Sequence, residues 1–435
     1  MDILLIGNGF DLAHDLPTTY KDFLDFLEKV HPLNYSTLPS LHFDSFIRNP
    51  SNITTLNSIR ELCFKNNINN IWYDYFRPKT TGNQNWCDFE KEIEYLVRQL
   101  EIVKEIVDKY RTLGFTNDNF PHSLVNICFL EKAITSYCQT NSSLAYPKNI
   151  QIENTLLHYN DNYYYIELTI GTPNPHFSFE RELTTNSENN ILKISLEDIV
   201  NFVLNQLKNF TKCFELYLAK LVNTLKCPRI PFINTLLNQK DIKLITFNYT
   251  NIFEIYRYVP FEPEDYCFIH GQACSNDNDN LVLGIDEKKT DIDPLFTGFR
   301  KYWQRAFKNC NILFRQWIND IKSDNKSNYN RIGYLKLEHH LHIIGHSLTP
   351  SDRIILNELI TLENMHTTIY YHSEYSRMSL MQNLAAILGY EMFSYLIENQ
   401  TVTFEQGTFN SKSIDTTPNN PIKKRPPARQ HRTVM

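Results

Sequence analysis

The chain has 435 residues, 42% hydrophobic and 21% charged, which is enough apolar material for a sizeable core. Its net charge of -6 leaves no basic excess to neutralise a phosphate backbone, which argues against a general nucleic-acid binder. The nine scattered cysteines form no Cys-x-x-Cys pair, and no apolar run approaches the ~18 residues a membrane span needs, so the expectation is a cytoplasmic protein with no membrane partner.

The first element is a short apolar run over 3–6, which predicts a buried strand over 2–6 that stops at Gly7-Asn8-Gly9. Tyr20, Phe23, Leu24 and Leu27 then recur at helical spacing. The stretch 86–110 predicts a long helix, with Phe89, Ile93, Leu96, Leu100, Val103 and Val107 along one face. From about 115 to 193 the chain is rich in Asn, Thr and Tyr without a lasting period, and reads as an insertion containing some hairpin. A second long helix starts at Ser195, with Asp198 as a capping partner, and buries Val200, Val203, Leu207, Phe210, Phe214 and Leu218.

Strands are then predicted at 242–247, 266–269 and 281–283, ending at Asn248-Tyr249-Thr250, His270-Gly271 and Gly284, with a short helix from Asn251. A helical region follows over about 298–321, and a strand at 341–344 ends in Gly345-His346-Ser347. Ser351 and Asp352 open a helix, 367–371 is one more strand, and a helix runs to Gly389. After Gly407 the chain carries Pro, Asn, Lys and Arg with few apolar residues and is expected to be disordered. Strands alternating with helices predict an α/β fold, a Rossmann-type parallel sheet with helices on both faces and a large, mainly helical insertion. The sheet core is assigned to 1–30 and 241–405, the insertion to 31–240 and the disordered tail to 408–435.

Glycine is scarce, only 12 residues, yet Gly7, Gly9, Gly271, Gly284 and Gly345 all fall at or just after predicted strand ends. Ligands of open α/β sheets bind beyond the carboxyl ends of the strands, and glycine there lets backbone approach a phosphate. Gly-x-Gly alone is equally what a tight strand–helix turn needs. The run from Gly7 to Asp11 lacks the third glycine of the dinucleotide fingerprint and the Lys-Ser/Thr ending of a P-loop, which disfavours an ordinary dehydrogenase and a Walker-type ATPase.

The opening Gly7-Asn8-Gly9-Phe10-Asp11-Leu12-Ala13-His14-Asp15-Leu16-Pro17-Thr18-Thr19-Tyr20 resembles the start of AbiH proteins, a family of bacteriophage abortive-infection proteins. It also overlays the sirtuin segment Gly-Ala-Gly-x-Ser followed by Gly-Ile-Pro, with Gly7, Gly9 and Pro17 matching, Asp11 in place of Ser and Asp15 in place of Gly. Thr246-Phe247-Asn248-Tyr249-Thr250 is similar to the sirtuin Thr-Gln-Asn-Ile-Asp, His270-Gly271 to the catalytic His-Gly, and Gly345-His346-Ser347-Leu348 to Gly-Thr-Ser-Leu. The sirtuin likeness is confined to these islands, whereas the AbiH likeness extends to about Gly389. Sirtuins carry two Cys-x-x-Cys pairs between the last two motifs. Here that interval holds only Cys274 and Cys310, so no zinc module and no metal are expected.

What remains resembles the sirtuin-like effectors of antiphage defence, which hydrolyse NAD. The resemblance implies NAD as substrate, with His270 as a base and Asn248 holding water or a ribose hydroxyl. Gly7, Asn8, Gly9, Phe10, Asp11 and Thr250 would line the diphosphate and ribose, and Gly345 and Ser347 would face the adenosine side. Each residue has a plainer reading: His270 as a turn residue, and Asn248 as the cap of the next helix. Two other functions stay open, a nucleotide-binding sensor governing a partner toxin and a phage-triggered nuclease. The trigger is not named by the sequence, and a homo-oligomer stays open. His339, His340, His342 and His346 suggest a metal cluster, but alternation along a strand sets His339 on the opposite face from His340 and His342. The acids after Trp86 (Asp88, Glu90 and Glu92) suit a helix start, although Asp88 and Glu90 could border the pocket.

Overall fold

The computed structural model describes residues 1–32, 41–65, 68–80, 89–113, 127–140, 152–160, 163–170, 176–178, 191–193, 196–226, 230, 232–233, 242–251, 262–274, 280–286, 293–310, 313–329 and 338–407. Asp88, the helix expected from Asn251 and the tail 408–435 lie outside them.

The chain opens with β1 (Asp2–Ile6), α1 (Asn8–Ala13) and α2 (Tyr20–Val30), then enters the insertion through α3 (Leu41–Arg48), α4 (Ile53–Cys63) and α5 (Ile71–Thr80). The insertion continues with the long α6 (Phe89–Leu113) and α7 (Ile127–Thr140). It then forms a small sheet of β2 (Ile152–Asn160), β3 (Tyr163–Ile170), β4 (His176–Ser178) and β5 (Ile191–Lys193), and closes with α8 (Leu196–Lys220). The expected hairpin is β2 and β3, which pair antiparallel. The chain returns to the main sheet with β6 (Ile242–Thr246) and β7 (Tyr266–Phe268), followed by α9 (Lys301–Phe307) and α10 (Leu313–Tyr329). It ends in β8 (His339–Ile344), α11 (Arg353–Ile360), β9 (Met365–Tyr371), α12 (Glu374–Leu388), α13 (Tyr390–Glu398) and β10 (Val402–Gln406).

The main sheet has six strands in the order β10-β9-β8-β1-β6-β7, every pair parallel. Ile6 is level with Thr246 on one side and Ile344 on the other, so three strands finish at one height. From β1 the chain steps outward to β6 and β7, then jumps back across β1 to β8, β9 and β10. Alternation sends Leu4, Ile6, Leu244 and Ile344 to one face and Ile3, Leu5, Ile245 and Ile343 to the other. The first face shares a single apolar core with the insertion's helices, and the second packs against α10 to α12.

The predicted helix stripes are buried wherever their side chains are described, which leaves out Val107. Phe89, Ile93, Leu96, Leu100 and Val103 of α6 are enclosed, as are Val200, Val203, Leu207, Phe210, Phe214 and Leu218 of α8. Phe89 stacks on Tyr20 at 4.0 Å and on Phe76 at 4.1 Å, while the Tyr217 hydroxyl donates to the Pro17 carbonyl at 2.7 Å, tying α8 to the turn after α1.

Residues 281–283 are not the strand their apolar run predicted. All three are buried, but most of their paired backbone groups meet side chains: the Gln304 amide accepts from the Leu283 N–H and donates to its carbonyl, Lys308 donates to the Leu281 carbonyl and the Tyr249 hydroxyl to the Val282 carbonyl, while the Val282 N–H donates to the His270 carbonyl. Gly284 therefore follows no strand end. The expected helical region 298–321 breaks after Phe307, with Asn309 at φ 51°.

Candidate functional site

A cleft of about 1160 Å³ opens over the carboxyl ends of β1, β6, β7 and β8, where the strand order reverses between β1 and β8. Its wall includes Gly7, Asn8, Gly9, Asp11, Asn248, Thr250, His270, Gly345 and Ser347, nine of the ten residues singled out in the sequence. Phe10 is the exception: it is buried in the core, its ring 4.6 Å from that of His14.

The glycines are explained first by each other. A Cβ on Gly7 would lie 2.7 Å from the His346 backbone, and one on Gly9 would lie 2.8 Å from the Gly345 carbonyl oxygen. Gly345 has φ +66°, and its own Cβ would overlap the Phe10 amide. The Gly7 N–H donates to the Ile344 carbonyl at 3.0 Å and the Gly9 N–H to the Gly345 carbonyl at 2.7 Å. These glycines weld the turn after β1 to the turn after β8, which by itself accounts for them. Asp15, where the sirtuin segment has glycine, has φ 57°, in the left-handed region glycine favours.

Asp11 lines the cleft but is only 1% exposed, and both of its carboxylate oxygens already accept a side-chain hydrogen bond. Asn248 Nδ2 donates to its Oδ1 at 2.7 Å and the Thr250 hydroxyl to its Oδ2 at 2.5 Å. Burial pushes its carboxyl up to about 7, against the two hydrogen bonds that favour the ionised form. The Asn-x-Thr spacing after β6 therefore serves one carboxylate with two donors.

His270, at the end of β7, holds Nε2 3.1 Å from Asp352 Oδ1. Asp352 Oδ1 also accepts from Lys301 Nζ at 2.9 Å, and Lys301, itself 1% exposed, reaches Glu90 of α6 at 2.8 Å. His346 Nε2 lies 3.7 Å from Asp352 Oδ2, while its Nδ1 accepts from the Leu348 N–H. Burial and the Lys301 charge together lower His270 to about 4, although Asp352 pulls the other way. At neutral pH this imidazole is therefore uncharged. Burial opposes the charge of Asp352, but Lys301 and His270 outweigh it and hold its carboxyl well below the ordinary range. Burial likewise works against Lys301, yet Asp352 and Glu90 raise it above the usual ammonium value.

Three buried polar atoms on the cleft wall have no hydrogen-bond partner among the described residues: Thr18 Oγ1, Asn248 Oδ1 and His270 Nδ1. A carboxylate only accepts, so Asn248 turns its amide to Asp11 and its carbonyl oxygen away, and His270 carries its proton on Nε2. Two acceptors are thereby left at the ends of neighbouring strands, with the Phe247 ring 5.3 Å from that of His270.

Sequence reasoning missed Lys301 and Asp352. Asp352 was read only as the opening of a helix, and Lys301 not at all; the one signal for Asp352 was its place six residues after His346. Glu90 of the Trp-x-Asp-x-Glu run does line the cleft. The histidines divide as alternation predicts: His339 is fully buried, with Nδ1 3.1 Å from the chain's amino terminus, whereas His340 and His342 are half-buried with stacked rings. Among the described residues no group of three or more His, Cys, Asp or Glu is arranged to hold a metal ion, and no helix is long and apolar enough to cross a membrane.

A family model described as bacteriophage abortive infection AbiH matches residues 3–372. No curated protein and no solved structure matches the chain.

Proposed function

The chain belongs to the AbiH family of bacteriophage abortive-infection proteins, and on that premise we propose that it is an antiphage effector that hydrolyses NAD at the nicotinamide–ribose bond. The observation that carries this reading is the pair of unpartnered buried acceptors, Asn248 Oδ1 and His270 Nδ1, on the wall of a cleft at the strand-order reversal. Leaving a buried polar group unpaired costs about 1–3 kcal/mol, so two on one wall fit a ligand that brings two O–H donors. A ribose diol and an attacking water both do.

In the reaction the C1′–N bond breaks and its electron pair leaves with nicotinamide. The oxygen of water bonds to C1′ of an oxocarbenium-like sugar, and the water's proton must go elsewhere. Asn248 and His270 orient the oxygen donors, and the neutral imidazole accepts without bringing positive charge near the cationic sugar. Asp11, held at about 7, is the group on the wall suited to stabilise that cation when ionised and to take up a proton near neutral pH. Gly7, Asn8 and Gly9 form the backbone wall for the diphosphate, with Gly345 and Ser347 toward the adenosine.

One observation favours a second reading, a nucleotide sensor that controls a partner toxin without turnover: a histidine lowered to about 4 is a weak base. Purified protein incubated with NAD, alone and with extract of phage-infected cells, separates the two. Release of nicotinamide supports hydrolysis; saturable binding with no release under either condition supports the sensor.

A further inference from the structure

The insertion and the sheet meet at the cleft through a buried lysine that the reaction does not use. Lys301 opens α9, behind His270, and bridges Asp352 of the turn after β8 to Glu90 of α6. One ammonium thus joins a carboxylate of the sheet core to a carboxylate of the insertion.

We propose that Lys301 is a positioning residue for the site: by pairing with Asp352 it holds the His270 imidazole with one proton, on Nε2, and its Nδ1 lone pair open. The insertion's Glu90 seats the Lys301 ammonium against Asp352.

Burial is the first cause that disfavours a charged His270, and the balance of charges around it is the second. An imidazole 3.1 Å from an isolated buried carboxylate would be drawn into an ion pair, with protons on both ring nitrogens. Nδ1 would then be a donor and could no longer receive an O–H. Here the same carboxylate oxygen already accepts from Lys301 at 2.9 Å, so a second cation on it would be repelled. The other charged groups bearing on His270 agree with this. Arg305, one turn along α9, also opposes a cation there, and His346 approaches the second oxygen of Asp352 at 3.7 Å. Glu90 pairs with Lys301 from the far side and keeps the buried ammonium in place. The arrangement makes His270 a neutral acceptor by construction, and places one anchor of that construction on the insertion.

The consequence for turnover rests on the NAD-hydrolase reading; the protonation state does not, and is read directly by ¹⁵N NMR of ring-labelled histidine, with His270→Gln supplying the assignment. In the native chain at pH 7, His270 is expected neutral with its proton on Nε2. In Lys301→Met it is expected to be doubly protonated, titrating above about pH 7. Nicotinamide release by that variant should fall about tenfold or more at pH 6 and recover toward pH 9 with little change in KM, a recovery that a merely structural loss would not show. Glu90→Gln, which loosens the seat without removing the cation, should move His270 in the same direction by less.

Should Lys301→Met not fold, Lys301→Met combined with Asp352→Asn removes both charges and should restore folding with a neutral His270. A native His270 that is already doubly protonated at pH 7, or carries its proton on Nδ1, overturns the proposal. So does a folded Lys301→Met protein whose His270 spectrum is unchanged. A correct NMR result without nicotinamide release would overturn only the NAD-hydrolase reading.

Discussion

Asn248 donates its amide to the carboxylate of Asp11 at 2.7 Å, joining the end of β6 to the first helix of the chain across the floor of the cleft. The contact fixes which way the Asn248 amide points and leaves its Oδ1 without a hydrogen-bond partner among the described residues. It also gives the cleft an acid that titrates near neutrality.

That acid makes stability depend on pH. The Asp11 carboxyl is raised from 3.8 to about 7 by burial, so the folded state holds its proton more tightly than the unfolded state. Its contribution is fully present below about pH 4 and is lost as pH rises through about 7, at roughly 1.4 kcal/mol per pH unit. Asp11→Asn lacks this slope. The stability of the native protein relative to Asp11→Asn should therefore fall between about pH 4.5 and 7 in urea titrations. A difference that stays flat over that interval would show that Asp11 is ionised throughout.

The native rate of nicotinamide release should rise through about pH 7 as Asp11 ionises and show no inflection near 6.5, because His270 is already neutral there. Asp11→Asn should remove the rise. An inflection near 6.5 that disappears in His270→Gln would show that His270 is not held neutral by its surroundings.

Gly345→Ala tests the weld between the two turns. The left-handed backbone at φ +66° costs a side chain roughly 1–2 kcal/mol before any overlap is counted, and the Phe10 amide occupies the Cβ position. A fall in the urea midpoint equivalent to more than that is expected. An unchanged midpoint would mean that the turns are not held this close.

Much of this architecture is readable in the residues themselves. Apolar runs bounded by Gly7, Asn248, His270 and Gly345 mark four adjacent strand ends, because buried parallel strands are short, continuous and apolar. Lys301 leaves no comparable trace. Its burial depends on Glu90 and Asp352, which lie far from it in sequence, and a lysine at a helix start reads as solvated. After Gly389 two elements were missed for local reasons. In α13 the exposed Tyr390, Met392 and Tyr395 blur the helical period, and β10 is a mostly polar edge strand. Residues 281–283 misled in the opposite direction, since an apolar run records burial and not what satisfies its backbone.

The interval between His270 and Gly345, with only Cys274 and Cys310, predicts that zinc is not needed. Elemental analysis should find it substoichiometric, and a chelator should leave Tm unchanged. Stoichiometric zinc whose removal unfolds the chain would contradict this.

His270→Ala and Asn248→Ala should each lower kcat by about a hundred- to ten-thousand-fold while NAD binding changes much less. Because both groups serve one step, the double variant should lose far less than the product of the two. Strict multiplication of the effects would place the two residues in separate roles.

The most direct measurement follows NAD and nicotinamide in cells challenged with a phage against which the protein protects. Cells carrying the native protein should lose NAD and gain nicotinamide after infection. Cells carrying equal amounts of folded His270→Ala should keep their NAD and lose protection. Full protection by His270→Ala, or protection by the native protein with NAD unchanged, would contradict hydrolysis at this cleft.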